Sequence, residues 1–140
     1  MAAQGVCATL LPTTAYVLRI KPPPAKKLIE SGVPVALGSD FNPNAHCISM
    51  PFVMNLAAIY MGMTLPQVLN AATINAAGSL NKADLYGSLA AGKVGDFIIV
   101  ESASWEHLIY ELVDPPITQV WKRGKLVWRQ RDGRLNQSIQ

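Results

Sequence analysis

The stretch Val33-Pro-Val-Ala-Leu-Gly-Ser-Asp-Phe-Asn-Pro-Asn44 limits the folding options more than any other part of the chain. It is an apolar run that ends on a carboxylate and then turns. Residues 33–37 read as a buried strand, and Asn42-Pro43-Asn44 reads as a tight turn. A carboxylate at such a junction is costly to bury unless a cation, a hydrogen-bond donor or a substrate compensates it. Asp40 is therefore the first candidate for chemistry. The alternative is ordinary turn formation, since Asp-x-Asn-Pro is common turn chemistry in its own right.

Upstream, residues 6–11 predict a second short buried strand ending at Pro12, followed by a loop over residues 13–16. The run Pro22-Pro-Pro24 is compatible only with a helix start, and residues 25–31 continue as a short amphipathic helix stopped by Gly32. Two apolar strands joined by a helical crossover predict parallel pairing with a right-handed connection. In barrels built from such units, catalytic groups sit at the carboxyl ends of the strands. Asp40 holds that position.

Beyond the turn, residues 51–61 predict an apolar helix. Phe52, Met54, Leu56, Ile59 and Tyr60 cover more than one face, so it is expected to be buried on most sides. Met50, Met54, Met61 and Met63 fit core filling better than a pliable binding groove. Thr64 and Gln67 form a capping box for a helix over residues 65–80, where Ala71, Ala72, Ala76 and Ala77 permit close packing. The texture changes near Gly87. Gly87, Gly92 and Gly95 match neither a phosphate loop nor a dinucleotide fingerprint, and are read as turn glycines that Lys93 and Asp96 secure. A strand follows at residues 96–100. Residues 117–122 and 125–129 flank Arg123-Gly124 as a hairpin, and residues 132–140 are polar and expected to fray.

The 140 residues are half hydrophobic, which is enough for a core, but only 15% are charged against about 25% in typical domains. With a mean hydropathy of +0.21, some apolar surface is expected to need cover from further polypeptide. No apolar run approaches the roughly 18 residues of a membrane span, and the first residues lack a signal core. Cys7 and Cys47 are read as reduced and buried, which favours a cytoplasmic location. Six of the twelve basic residues (Lys122, Arg123, Lys125, Arg129, Arg131, Arg134) cluster near the end of the chain. They interleave with Leu126, Val127 and Trp128, so a solvated strand face is expected rather than nucleic-acid binding.

Taken in order, the Gly-Ser-Asp strand end, the helix Ala72-Thr-Ile-Asn-Ala-Ala77 and the segment Gly87-Ser-Leu-x-x-Gly92-Lys-x-Gly95-Asp96 resemble the C-terminal end of the metal-dependent amidohydrolase superfamily. Within it, Ser39-Asp-Phe-Asn-Pro-Asn44 and Trp105-Glu-His-Leu-Ile-Tyr110 are similar to the imidazolonepropionases.

The resemblance implies an α/β fold: the last strands and helices of a (β/α)8 barrel over residues 1–84, then part of a small β-sandwich over residues 85–140. It implies hydrolysis of the ring amide of 4-imidazolone-5-propanoate to N-formimidoyl-L-glutamate, with zinc or iron activating water. Asp40 would be a metal ligand that also handles the proton of the attacking water, and Asn42 and Asn44 would contact the substrate. The expected partner is a small molecule, with no nucleic acid and no membrane, and a homodimer is an open assembly for the full-length enzyme.

The histidine ligands of the superfamily have no counterpart here, because His46 and His107 are the only histidines. Both are read as structural or solvated. A complete barrel takes about 250 residues, so the chain is expected to be a truncated product, inactive alone. Two other readings stay open. One is a different cyclic amidase or deaminase of the superfamily, and the other is a non-catalytic fragment that associates with a full-length subunit.

Overall fold

The computed structural model describes residues 1–130. Arg131 and Arg134, and the expected frayed end at residues 132–140, lie outside the described residues. After a 3-10 turn at Ala2–Gln4, the chain forms β1 (Ala8–Leu10), α1 (Pro12–Val17), α2 (Ala25–Glu30) and β2 (Val35–Leu37). The strands pair in parallel, with Ala8, Thr9 and Leu10 opposite Val35, Ala36 and Leu37. This is the strand-helix-strand unit that the sequence predicts. All three residues of β2 are buried, as befits a parallel strand covered on both faces.

One expectation is corrected at its start. Residues 13–16 are not a loop but the body of α1, with Pro12 in its first turn. Proline lacks the amide hydrogen that a first helical turn cannot satisfy anyway, so Pro12 opens this helix rather than only closing the strand. Thr13 and Ala15 are buried, and Tyr16 meets the rings of Phe52 and Tyr60 edge-on at 6.4 Å.

Helix α3 (Met50–Met61) is capped by Ser49, whose Oγ accepts from Phe52 N, and ends at Gly62 in the left-handed region. Its residues Val53, Met54, Ala57 and Met61 join Val35, Leu37, Met63, Val68 and Ala71 in the core. Not every side is covered: Ile59 is 76% exposed. The expectation of near-complete burial therefore holds for one face and fails for the other.

The capping box forms as expected, with Thr64 N donating to Gln67 Oε1 at 2.9 Å and Gln67 N to Thr64 Oγ1 at 3.4 Å. The helix it opens does not run on to residue 80. It divides at Thr73 into α4 (Leu65–Ala72) and α5 (Ile74–Ser79). Thr73 has φ −121° and ψ −92°, and its hydroxyl donates back to Leu69 O at 2.6 Å. Gly87 packs against this break, where an added Cβ would lie 2.7 Å from Ile74 Cα and 2.8 Å from Thr73 O. Just past it, Asn75 Nδ2 donates to Val35 O at 2.9 Å. This satisfies a carbonyl on β2.

The remainder is a three-stranded antiparallel sheet of β3 (Phe97–Val100), β4 (Ile117–Lys122) and β5 (Lys125–Arg129), in the order β3-β4-β5. Arg123 and Gly124 take φ of 51° and 71°, the left-handed pair that matches a two-residue hairpin to strand twist. Lys93 Nζ donates to Ala83 O, and Asp96 accepts from Lys122 Nζ and from Arg123 N. Lys93 thus ties down the glycine segment, as expected, whereas Asp96 holds the Arg123-Gly124 hairpin instead. A short helix α6 (His107–Tyr110) inserts Leu108 and Ile109 into the core against α3, and Asn55 Nδ2 donates to Ile109 O at 3.2 Å.

Candidate active site

Gly38 follows β2, its amide donating to Leu10 O at 3.0 Å, and carries the chain over the end of the pair. A Cβ on Gly38 would come within 3.1 Å of Leu11 Cδ2. Asp40, two residues on, has φ 50°. An aspartate tolerates this left-handed conformation better than most residues, but it is sparsely populated and persists where the surroundings over-determine it.

Two hydrogen bonds hold the backbone here and a third holds the carboxylate. Thr13 Oγ1 donates to Ser39 O at 2.8 Å, Thr14 Oγ1 donates to Asp40 Oδ2 at 2.7 Å, and Asn42 Nδ2 donates to Asp40 O at 2.5 Å. Thr13 is buried at 1% exposure, and Asp40 is half-buried. Neither threonine stands out in the sequence as a site residue. The usable signal was Pro12 at a helix start, which places the next residues on a first turn beside a strand end.

Asn42 mainly builds its own loop. Its Oδ1 accepts from Asn44 N at 2.8 Å and from Ala45 N at 3.2 Å, and its backbone bridges to Ala45. One amide N–H of Asn42 is left for another acceptor. Asn44 is exposed and shares the turn with Asp40 and Asn42.

The histidines are apart from this carboxylate's contacts. His46 lies against Phe41 with ring centroids 4.7 Å apart, and His107 Nδ1 pairs with Glu111 Oε1 at 3.0 Å on the outer side of α6. Both cysteines are free and half-buried, less covered than expected. Burial pushes the Cys7 thiol up from its ordinary value, and a hydrogen bond with the Ala36 backbone offsets part of that rise.

The sequence matches the amidohydrolase family model over residues 1–127. The chain belongs to the amidohydrolase family. Among curated relatives of this amidohydrolase, a probable imidazolonepropionase from Dictyostelium discoideum is 62% identical over 128 residues, covering 91% of this chain and 30% of that protein. A probable imidazolonepropionase from Homo sapiens is 54% identical over 131 residues, covering 92% and 31%. The chain thus spans about a third of the length of the curated relatives it matches.

Among solved structures, an adenosine deaminase from Xanthomonas campestris with bound zinc superposes at TM-score 0.79 with 26% identity, over 93% of this chain and 34% of that one. E. coli guanine deaminase superposes at TM-score 0.76 with 22% identity, over 93% and 36%. These similarities give the amidohydrolase an α/β fold, and the superfamily is metal-dependent.

The donor set can be tested against a metal. A carboxylate oxygen suits zinc or iron, and Asp40 provides one. Among the described residues, no group of three or more His, Cys, Asp or Glu side chains is placed to hold an ion. Catalytic zinc takes about three protein ligands. Asp40 fits as one donor, and the described residues do not complete a cage.

Proposed function

We propose that this amidohydrolase chain is part of an imidazolonepropionase-type hydrolase, which opens the ring amide of 4-imidazolone-5-propanoate to N-formimidoyl-L-glutamate in histidine degradation. The observation that carries the reading is the identity of 50–62% to relatives named probable imidazolonepropionase. The remaining metal donors belong, in this reading, to the part of those longer relatives that the chain does not match. Residues 1–84 then contribute the last strands and helices of a barrel, and residues 85–140 part of a small β-sandwich.

When bound, zinc or iron would polarise the ring carbonyl and acidify water. Asp40 lies at the carboxyl end of a parallel strand, with Oδ2 held by Thr14. Its Oδ1 would provide the ligand oxygen and accept a proton during attack on the ring. Asn44 can offer amide hydrogens to a carboxylate or ring nitrogen of the substrate, and Asn42 has one N–H left for the same task. Free thiols at Cys7 and Cys47 suit a reducing compartment, which supports a cytoplasmic location. Among the described residues, no helix is long and apolar enough to cross a membrane.

The test is hydrolysis of 4-imidazolone-5-propanoate by a metal-loaded protein that carries this chain together with the length matched by its relatives. Asp40→Asn is expected to lower kcat by about 10²–10⁴-fold, the usual span for a lost acid-base group. The 140-residue chain alone is expected to be inactive. Absence of this hydrolysis in the parent protein would end the proposal, and full turnover with full metal content in the Asp40→Asn protein would remove Asp40 from its chemistry.

A further inference from the structure

Residue 40 is gripped on both sides and at its tip. Thr13 holds the carbonyl before it, Asn42 holds its own carbonyl, and Thr14 holds one oxygen of its carboxylate. The first two bonds act on the backbone. The third does something different, because it constrains only the side chain.

We propose that Thr14 is a positioning residue for Asp40: its hydroxyl fixes the carboxylate so that Oδ1 alone is presented for chemistry. The inference rests on the reading of Asp40 as the reacting carboxylate. Thr14 and Asp40 are 26 residues apart in sequence, on a helix and a strand end whose relative placement the parallel β1-β2 pair sets.

A threonine hydroxyl donates one hydrogen. By binding one carboxylate oxygen it orients the group and leaves the other oxygen for chemistry, and no donor among the described residues reaches Oδ1. The neighbouring hydroxyl, on Thr13, is committed to Ser39 O and does not compete. The two consecutive threonines of the first turn of α1 therefore divide the work. Thr13 sets the backbone and Thr14 sets the carboxylate. Groups that orient a ligand in this way commonly matter nearly as much as the ligand itself.

The experiment is carbon-13 NMR of the Asp40 side-chain carboxyl in the 140-residue chain, assigned by its loss in Asp40→Asn. Thr14→Val keeps the size and removes the donor, and Thr14→Ser keeps the donor and removes a methyl. Thr14→Ala replaces the valine variant if a β-branched residue without the hydroxyl fails to fold there. The expected result is a displaced or broadened Asp40 carboxyl signal in Thr14→Val or Thr14→Ala, and a wild-type signal in Thr14→Ser. A purely structural role would lower the melting temperature and leave that signal in place. An unmoved carboxyl in the hydroxyl-free variants, or failure of serine to restore it, overturns the proposal. Turnover of Asp40→Asn is a separate readout, so loss of the hydrolase reading and loss of the positioning role are told apart.

Discussion

The parallel pair β1-β2 and the antiparallel sheet β3-β4-β5 are stabilised in opposite ways. Every residue of β2 is buried, and the strand is fixed by β1 on one side and by Asn75 from α5. Every residue of β5 is exposed, including Val127 at 59% and Trp128 at 48%. The first region depends on contacts between residues far apart in sequence. The second combines the local β4-β5 hairpin with β3, which pairs with β4 across the sequence, and with Asp96, which hydrogen-bonds Lys122 and the Arg123 backbone. The candidate site sits on the first, where a carboxylate can be held in one orientation at the end of a rigid strand. The second offers apolar surface that the described residues leave uncovered, as the hydropathy led us to expect.

The sharpest way to break this contrast is to place the same charge in both regions. Val35→Asp buries a carboxylate at a position only 2% exposed, and is expected to cost on the order of 4–5 kcal/mol or more. Loss of a cooperative thermal transition by circular dichroism would report it. Val127→Asp on β5 should stay within about 0.5 kcal/mol of the parent. Equal losses at the two positions would refute the contrast.

A smaller effect separates two glycines that both have φ near 85°. Gly87→Ala combines a left-handed backbone with a Cβ driven into the backbone at Thr73 and Ile74, for about 2–4 kcal/mol in denaturant unfolding. At Gly92 no atom lies within 4 Å of an added Cβ. Gly92→Ala should cost only the conformational part, about 1–2 kcal/mol. If both cost the same, the turn at Gly87 does not press on the α4-α5 break.

The smallest effect is a pH dependence in the antiparallel region. The hydrogen bond from Lys122, followed by that from the Arg123 backbone, holds the Asp96 carboxyl below its ordinary value. Because the folded value is the lower one, this stabilisation is fully present above the unfolded value of about 3.9 and is lost as pH falls through the folded value. Asp96→Asn should therefore flatten the acid limb of a melting-temperature series below about pH 5. The loss will be modest, since exposed ion pairs contribute little. An unchanged acid limb would remove Asp96 as a pH-dependent clamp.

Particular residues show how far the sequence could be read. The Thr64-Gln67 capping box and the Arg123-Gly124 hairpin appear where the sequence puts them, because each is made by residues within a few positions of one another. Helix α1 is not legible because Pro12 after an apolar run reads as a strand stop, although proline also opens helices. The division at Thr73 has only a weak local signal, a hydroxyl that can bond back to Leu69 O. Alanine-rich sequence favours a continuous helix, and the approach of Gly87 marks where it ends. The same holds at the site: Asp40 was legible as a carboxylate at a strand end, whereas Thr14 was not legible as its partner.

By itself the sequence determined the five strands, the helices α2 and α3, the parallel sense of the first two strands, the turn at Asn42-Pro43-Asn44 and the placement of Asp40 at its edge. These follow from apolar periodicity and turn chemistry, which act over a handful of residues. The tertiary structure decided that Asp40 is left-handed, that Thr13 and Thr14 grip it, and that α4 and α5 are separate helices. Those outcomes come chiefly from groups brought together across 13 to 26 positions of chain, where packing geometry outweighs local preference.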